Sequence, residues 1–192
     1  MTLLLNLFVA HLLADFVFQS NALIRAKHAG VEGQLTHAAM VTVLLILVLI
    51  PYWSFPVTWV LIAMVGATHF MQDVLKISAE KKLKKSWSTL PFFADQLLHG
   101  IFLFLAWSFL NELHVMPASG LEAEIFFNED LSMLAVFLLL ISFVLDIVIF
   151  QFQRRPKKSQ NHQRDYQAML LRLLAFASAY LLILLFFRVF AV

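Results

Sequence analysis

The sequence predicts an all-α membrane protein, a polytopic bundle of about six transmembrane helices with both termini outside the cytoplasm. Three observations predict it. The chain is 61% hydrophobic with a mean hydropathy of +0.84, more apolar surface than one soluble core of 192 residues could bury. Stretches such as 41–50, 101–110 and 134–145 carry no charge at all. Of the connections, only every second one carries basic residues, the pattern of a chain that crosses a bilayer repeatedly.

The first span is placed at 2–18. It is expected to be retained, because it has no basic leading segment or small-residue cleavage site and carries Asp15 within its apolar run. Arg25 and Lys27 follow it. The second span, 36–50, is separated from the third, 57–76, by Pro51-Tyr52-Trp53-Ser54-Phe55-Pro56. Two prolines break the helix there, and the aromatic pair suits a headgroup interface. A span needs about 20 residues, so the first two are short and call for little tilt, local thinning or extension into polar flanks. Lys81, Lys82, Lys84 and Lys85 follow the third span. The fourth, 91–110, leads into an acidic loop holding Glu112, Glu122, Glu124, Glu129 and Asp130 without Lys or Arg. The fifth, 131–151, precedes Arg154, Arg155, Lys157, Lys158 and Arg164, and the sixth is 168–190. The positive-inside bias puts every basic connection in the cytoplasm.

The chain divides into a four-helix membrane module, 1–110, and two further helices, 111–192, with an acidic outer loop and a basic cytoplasmic loop. Cysteine is absent, which excludes disulfides and thiolate chemistry. The net charge of +2 comes from basic residues beside spans, so the partner is the lipid bilayer and not nucleic acid.

A charged side chain near the bilayer centre costs about 2.5–3.5 kcal/mol on insertion scales, so several together demand partners or water. Here they recur in one form. His11 and Asp15, His69 and Asp73, and Asp95 and His99 are each four residues apart, on one helical face. The order reverses in the fourth helix, which runs the opposite way, so every aspartate lies nearer the cytoplasm. The histidines should sit about 6 Å deeper. His37, at the start of the second span, could join the carboxylate layer, and Gln19, Gln72 and Gln96 adjoin the pairs.

Imidazole nitrogen and carboxylate oxygen are ligands of Zn²⁺, Mn²⁺ or Fe²⁺. The expectation is a divalent metal held by His11, Asp15, His69, Asp73, Asp95 and His99, with His37 as ligand or general base. Four His and three Asp suffice for two ions sharing a carboxylate, which could activate water and stabilise a phosphoryl or acyl transition state. Gln19, Gln72, Gln96, Arg25 and Lys27 are candidates for binding an anionic lipid or phosphorylated substrate. The plainer reading is a set of salt-linked or proton-relaying pairs that hold helices together; three pairs at one depth favour metal.

Lys76 is read as an ion-pair partner of Asp73 or a snorkelling residue, and Asp146 as adding to the site or pairing with Arg172 or Arg154. His28, His114 and His162 are read as solvated loop residues, and Gly66 and Gly100 as points of close helix approach.

His11 to Gln19, the lone His37, His69 to Lys76 and Phe93 to His99 resemble the signature segments of the bacterial membrane family catalogued as domain of unknown function 3307. The resemblance covers roughly residues 1 to 110 and implies a multi-pass protein of the bacterial inner membrane; it brings no activity. A looser likeness to membrane-bound metal-dependent hydrolases supplies only a reaction class. The expected function is a cytoplasm-facing, metal-dependent hydrolase of a phosphoester or lipid-linked substrate. The alternative is a proton- or divalent-ion-coupled transporter or channel. Haem ligation by two histidines would leave the paired carboxylates unexplained.

Overall fold

A computed structural model describes residues 1–83, 89–112, 128–153 and 165–190, with side chains in the last helix as far as 183. The described residues form helices and turns and contain no strand. In lipid every backbone N–H and C=O must be satisfied within the segment, which selects helices for a chain this apolar. Helix α1 is Thr2–Leu12, continued by a π-helical turn, Leu13–Phe18. Then come α2, Asn21–Ala29; α3, Val31–Val48; α4, Pro56–Lys82; and α5, Leu90–Glu112. Helix α6, Glu129–Leu139, passes through a second π-helical turn, Leu140–Val144, into α7, Leu145–Gln153. Helix α8 is Tyr166–Phe190.

Five spans are long and apolar enough to cross a membrane: α3, α4, α5, the joined α6–α7 and α8. Thr2–Phe18 makes a sixth when taken with α2, which leaves it at 93°. Their outer faces are apolar, with Met64, Leu97 and Leu182 each more than 60% exposed, as lipid-facing side chains must be.

Helix α2 is absent from the sequence reading, which left 19–35 as a connection. Ser20 caps it, its Oγ accepting from the Leu23 amide at 3.2 Å. Gly33 of α3 packs so closely on α2 that any side chain there would collide with the backbone of Ala26 and Lys27. The second span accordingly begins at Val31, and the third runs on to Lys82, six residues past its expected end at 76. The hairpin between them is as expected: Pro51 sits in a 3₁₀ turn, Ile50–Tyr52, and Pro56 opens α4. Trp53 and Trp59 anchor it through indole N–H bonds to the carbonyls of Ile46 and Trp53.

Helix α1 lies between two apolar clusters. Leu7, Ala10 and Ala14 pack with Val41, Leu45, Ile62 and Leu103 of α3, α4 and α5. Leu12 and Phe16 pack with Phe92, Leu139, Phe143, Ile147 and Met169. Ser132 of α6 donates to buried Asn6 of α1 at 2.8 Å, the kind of interhelical polar bond that hydrocarbon favours. Of the two glycines expected to permit close approach, Gly66 does so, facing Thr42 Oγ1 of α3. Gly100 has nothing near it, so that expectation is corrected.

Candidate metal centre

The π-helical turn in α1 holds Asp15, and such turns concentrate at functional sites. It touches the second π-helical turn, between α6 and α7, so the C-terminal helices buttress the site without lending it a ligand among the described residues. Helices α1, α3, α4 and α5 bring together His11, Asp15, His37, His69, Asp73, Asp95 and His99, none more than 6% exposed.

On one side, His37 Nε2 lies 3.0 Å from Asp15 Oδ1 and 3.0 Å from His69 Nε2, and His69 Nε2 lies 3.5 Å from Asp15 Oδ1. Asp73 Oδ2 is 3.6 Å and 3.7 Å from the two imidazole nitrogens and accepts no hydrogen bond. On the other side, the rings of His11 and His99 stack at 4.9 Å, and His69 and His99 stand 4.2 Å apart. One ligand atom from each of His11, His69 and His99 falls within 4.8 Å of the others. So do atoms of Asp15, Asp95 and His99, and of Asp15, His37 and His69.

Two buried cations serve this cluster from its edge. Lys27 of α2 donates to Asp73 Oδ1 at 2.7 Å, and Lys76 of α4 donates to Asp95 Oδ2 at 2.8 Å. Each lysine takes one oxygen of its carboxylate. The other oxygen, Asp73 Oδ2 or Asp95 Oδ1, is buried without a hydrogen bond. Lys76 was expected to pair with Asp73, one helical turn away; the close packing of α4 on α5 gives it Asp95 instead, and Lys27 takes Asp73.

Hydrogen bonds from neighbouring groups fix the imidazoles. His99 Nδ1 lies 2.7 Å from the Asp95 carbonyl, which can only accept, so Nδ1 carries the proton and Nε2, buried without a partner, keeps its lone pair. The Gln96 amide donates to Asp15 Oδ2 at 3.4 Å and Asp95 Oδ2 at 3.1 Å. Its Oε1 therefore accepts from His11 Nε2 at 3.3 Å, leaving His11 Nδ1 to face Asp15 Oδ2 at 3.9 Å. Orphaned carboxylate oxygens and lone-pair nitrogens pointing at one another are costly in a low dielectric and are what a divalent cation requires.

Beside His11, His69 and His99 is a cavity of about 10 Å³, room for one water, closed by Gln72 and apolar residues including Val41, Leu45 and Phe102. Of the other expected contacts, Gln19 reaches His37 Nε2 at 3.4 Å, Gln96 bridges two carboxylates, and Arg25 is exposed on α2. Asp146 pairs with Arg172 at 3.1 Å. His28 is helical and bonds Glu80 at 3.0 Å. His114 and His162, the loop charges Lys84, Lys85, Glu122 and Glu124, and the basic run 154–164 lie outside the described residues.

Lys27 was not expected to neutralise a site aspartate, and Lys76 was expected to pair with Asp73 or to snorkel, not to serve Asp95. The signal for Lys27 was its spacing from Gly30 and Gly33, which lets a short helix fold back on the next span.

The sequence model of the family described as Protein of unknown function (DUF3307) matches residues 3–127, extending past the expected four-span module of 1–110. No curated protein and no solved structure matches the chain.

Proposed function

The chain belongs to the DUF3307 family, and we propose that it is an intramembrane metal-dependent hydrolase acting on a phosphoester or lipid-linked substrate from the cytoplasmic side of a bacterial inner membrane. One observation carries this reading: three imidazoles, His11, His69 and His99, converge beside a cavity of about 10 Å³, the size of one water. A position open to water beside the protein donors distinguishes a catalytic metal site from a closed structural one. A bound divalent ion would acidify that water and offset charge at phosphorus.

The chain's own groups supply the rest. Asp95, through the Oδ2 that Lys76 and Gln96 hold, can take the proton of the attacking water. As its oxygen bonds to phosphorus, the ester P–O bond breaks, and the departing oxygen takes up a proton from the same cluster. Gln72 lines the cavity with a buried amide nitrogen that has no hydrogen-bond partner, a donor suited to a phosphoryl oxygen. Phe102, 38% exposed, stands between the cavity and the bilayer, so an acyl or prenyl chain could approach from the side.

A transporter is the second reading, favoured by the Lys27–Asp73 and Lys76–Asp95 pairs, since exchanging a lysine for a proton or ion is a means of coupling. The test is purification without chelator, elemental analysis, and assay of turnover of phosphoesters and lipid phosphates beside ion flux in proteoliposomes. Stoichiometric metal with turnover that falls at least 100-fold in His99→Ala is expected. Metal-dependent flux without turnover would replace the hydrolase by the transporter, and absence of metal in active protein would sink both metal readings.

A further inference from the structure

We infer that the centre holds two divalent ions bridged by Asp15, one in a closed four-donor site that includes His37 and one in the open site at the cavity. The inference rests on the metal reading above and assigns each ligand to an ion.

The closed site is Asp15 Oδ1, His37 Nε2, His69 Nε2 and Asp73 Oδ2. Ligands at 2.0–2.1 Å from a tetrahedral ion stand about 3.3 Å from one another. The five measured separations in this set are 3.0, 3.0, 3.5, 3.6 and 3.7 Å. Hydrogen bonding alone does not account for them. Each imidazole Nε2 carries at most one proton, yet His37 Nε2 faces a carboxylate oxygen of Asp15, an imidazole nitrogen and Asp73 Oδ2 at once. A cation at their centre gives each of the four donor atoms one bond. His37 is fully buried, and its Nε2 is spent in this set, so it is a ligand and not the general base. Lys27 holds Asp73 by the opposite oxygen, orienting Oδ2 inward; it is a positioning residue.

The open site is Asp15 Oδ2, Asp95 Oδ1, His99 Nε2 and His11 Nδ1. His99 Nε2 and Asp95 Oδ1 are buried without hydrogen-bond partners, Asp95 Oδ1 meets the His99 ring at Nδ1, 3.4 Å away, and Asp15, Asp95 and His99 each offer one ligand atom within 4.8 Å of the others. His11 Nδ1 faces Asp15 Oδ2 at 3.9 Å. Lys76 holds the outer oxygen of Asp95, as Lys27 holds that of Asp73. Asp15 Oδ1 thus faces His37 and His69 while Asp15 Oδ2 faces His11, the disposition of a bridging carboxylate in two-metal hydrolytic sites, whose ions stand about 3.5–4 Å apart. Against three carboxylates and two ammonium groups, two divalent ions leave surplus positive charge, which suits a phosphoryl group better than a neutral ester.

Titration calorimetry of metal-stripped, full-length protein in detergent with Zn²⁺ should show two equivalents. His99→Ala should retain one equivalent, and His37→Ala should also retain one, with each variant checked for a monodisperse elution profile. Co²⁺ in His99→Ala should give the intense visible absorption of a tetrahedral ion, because that variant keeps the closed site; Co²⁺ in His37→Ala should give a weaker band, since the open site admits water. One equivalent in the wild type, with the Co²⁺ band lost in His37→Ala or in His99→Ala alone, would overturn the two-ion arrangement and leave a single-metal hydrolase standing. No binding in the wild type would overturn this inference and the metal reading with it. The wild-type titration decides the count even if a variant fails to fold.

Discussion

Lys27 is the residue on which the chemistry of the cluster most depends without belonging to it. Its ammonium group and the Asp73 carboxylate are both almost fully enclosed, whereas Lys76, paired with Asp95, keeps 19% of its side chain exposed. Removing one partner of a buried pair strands the other charge and typically costs about 3–5 kcal/mol. Lys27→Met should therefore lower the melting temperature of the metal-free protein in detergent, and by more than Lys76→Met does. Divalent metal should restore part of the loss, because an ion at Asp73 Oδ2 replaces the missing cation. Equal melting temperatures for wild type and Lys27→Met would remove the pair from any account of stability. His28, the next residue, is half exposed near the end of the short polar helix α2 and offers a pH-dependent contact to Glu80 in the last turn of α4. Its Nδ1 donates to the Ile24 carbonyl at 2.9 Å and its Nε2 to Glu80 at 3.0 Å, and an imidazole can donate through both nitrogens only when protonated. The bond to Glu80, ahead of the opposing effect of burial, raises its pKa; nearby Lys76 opposes it weakly. A raised folded-state value means the contact stabilises fully below the ordinary histidine value of 6.5 and fades as pH rises through the folded value. With His28 48% exposed, screening limits this to a few tenths of a kcal/mol. The melting temperature should fall slightly between pH 6 and pH 8 in wild type and less in Glu80→Gln; the same slope in both would rule the contact out.

At the scale of the element, α2 is the piece that converts a membrane hairpin into a closed site. It turns 93° from the first span, carries Lys27 to Asp73, and is held on α3 by the missing side chain at Gly33. Gln34 adds a bond from its amide to the Lys27 carbonyl at 3.2 Å. Since a Cβ at position 33 would meet backbone and not a movable side chain, Gly33→Ala must push α2 away, at a cost of about 1–3 kcal/mol. Gly30 has open space around it and an extended backbone, so Gly30→Ala provides the comparison. Limited proteolysis between 19 and 35 should accelerate in Gly33→Ala and hardly change in Gly30→Ala; equal rates would show that α2 is not held by this contact. The sequence hid α2 because it is short and of mixed polarity, and its docking depends on a glycine in the next helix. The three long spans after it announced themselves by apolar length alone, and the Pro51–Pro56 hairpin by its two imino acids.

For the whole molecule, the orientation proposed from charge can be tested by paired cysteines. Lys82→Cys, at the end of α4, should react with a membrane-impermeant maleimide only from the cytoplasmic side, and Asn111→Cys, in the last turn of α5, only from outside. The protein has no native cysteine to interfere. Labelling on the reversed sides would put the mouth of the site, and any substrate, in the other compartment. The C-terminal helices enter this picture as support. They pack on α1 through Leu139, Phe143 and Ile147, bond Asn6 through Ser132, and press their π-helical turn on the one that carries Asp15.

The sequence by itself pointed to a membrane-spanning helical chain and, through a spacing of four, to six of the seven clustered residues, because apolar length and helical spacing are local properties readable along one helix. Only the tertiary structure decided which groups meet across helices: that Lys76 serves Asp95 and Lys27 serves Asp73, that His37 faces Asp15 and His69, and that Gln96 sets the tautomer of His11. Those pairings depend on how each helix is rotated about its axis and where α2 folds back. Both are set by close packing at particular small residues, and no periodicity within a single span encodes them.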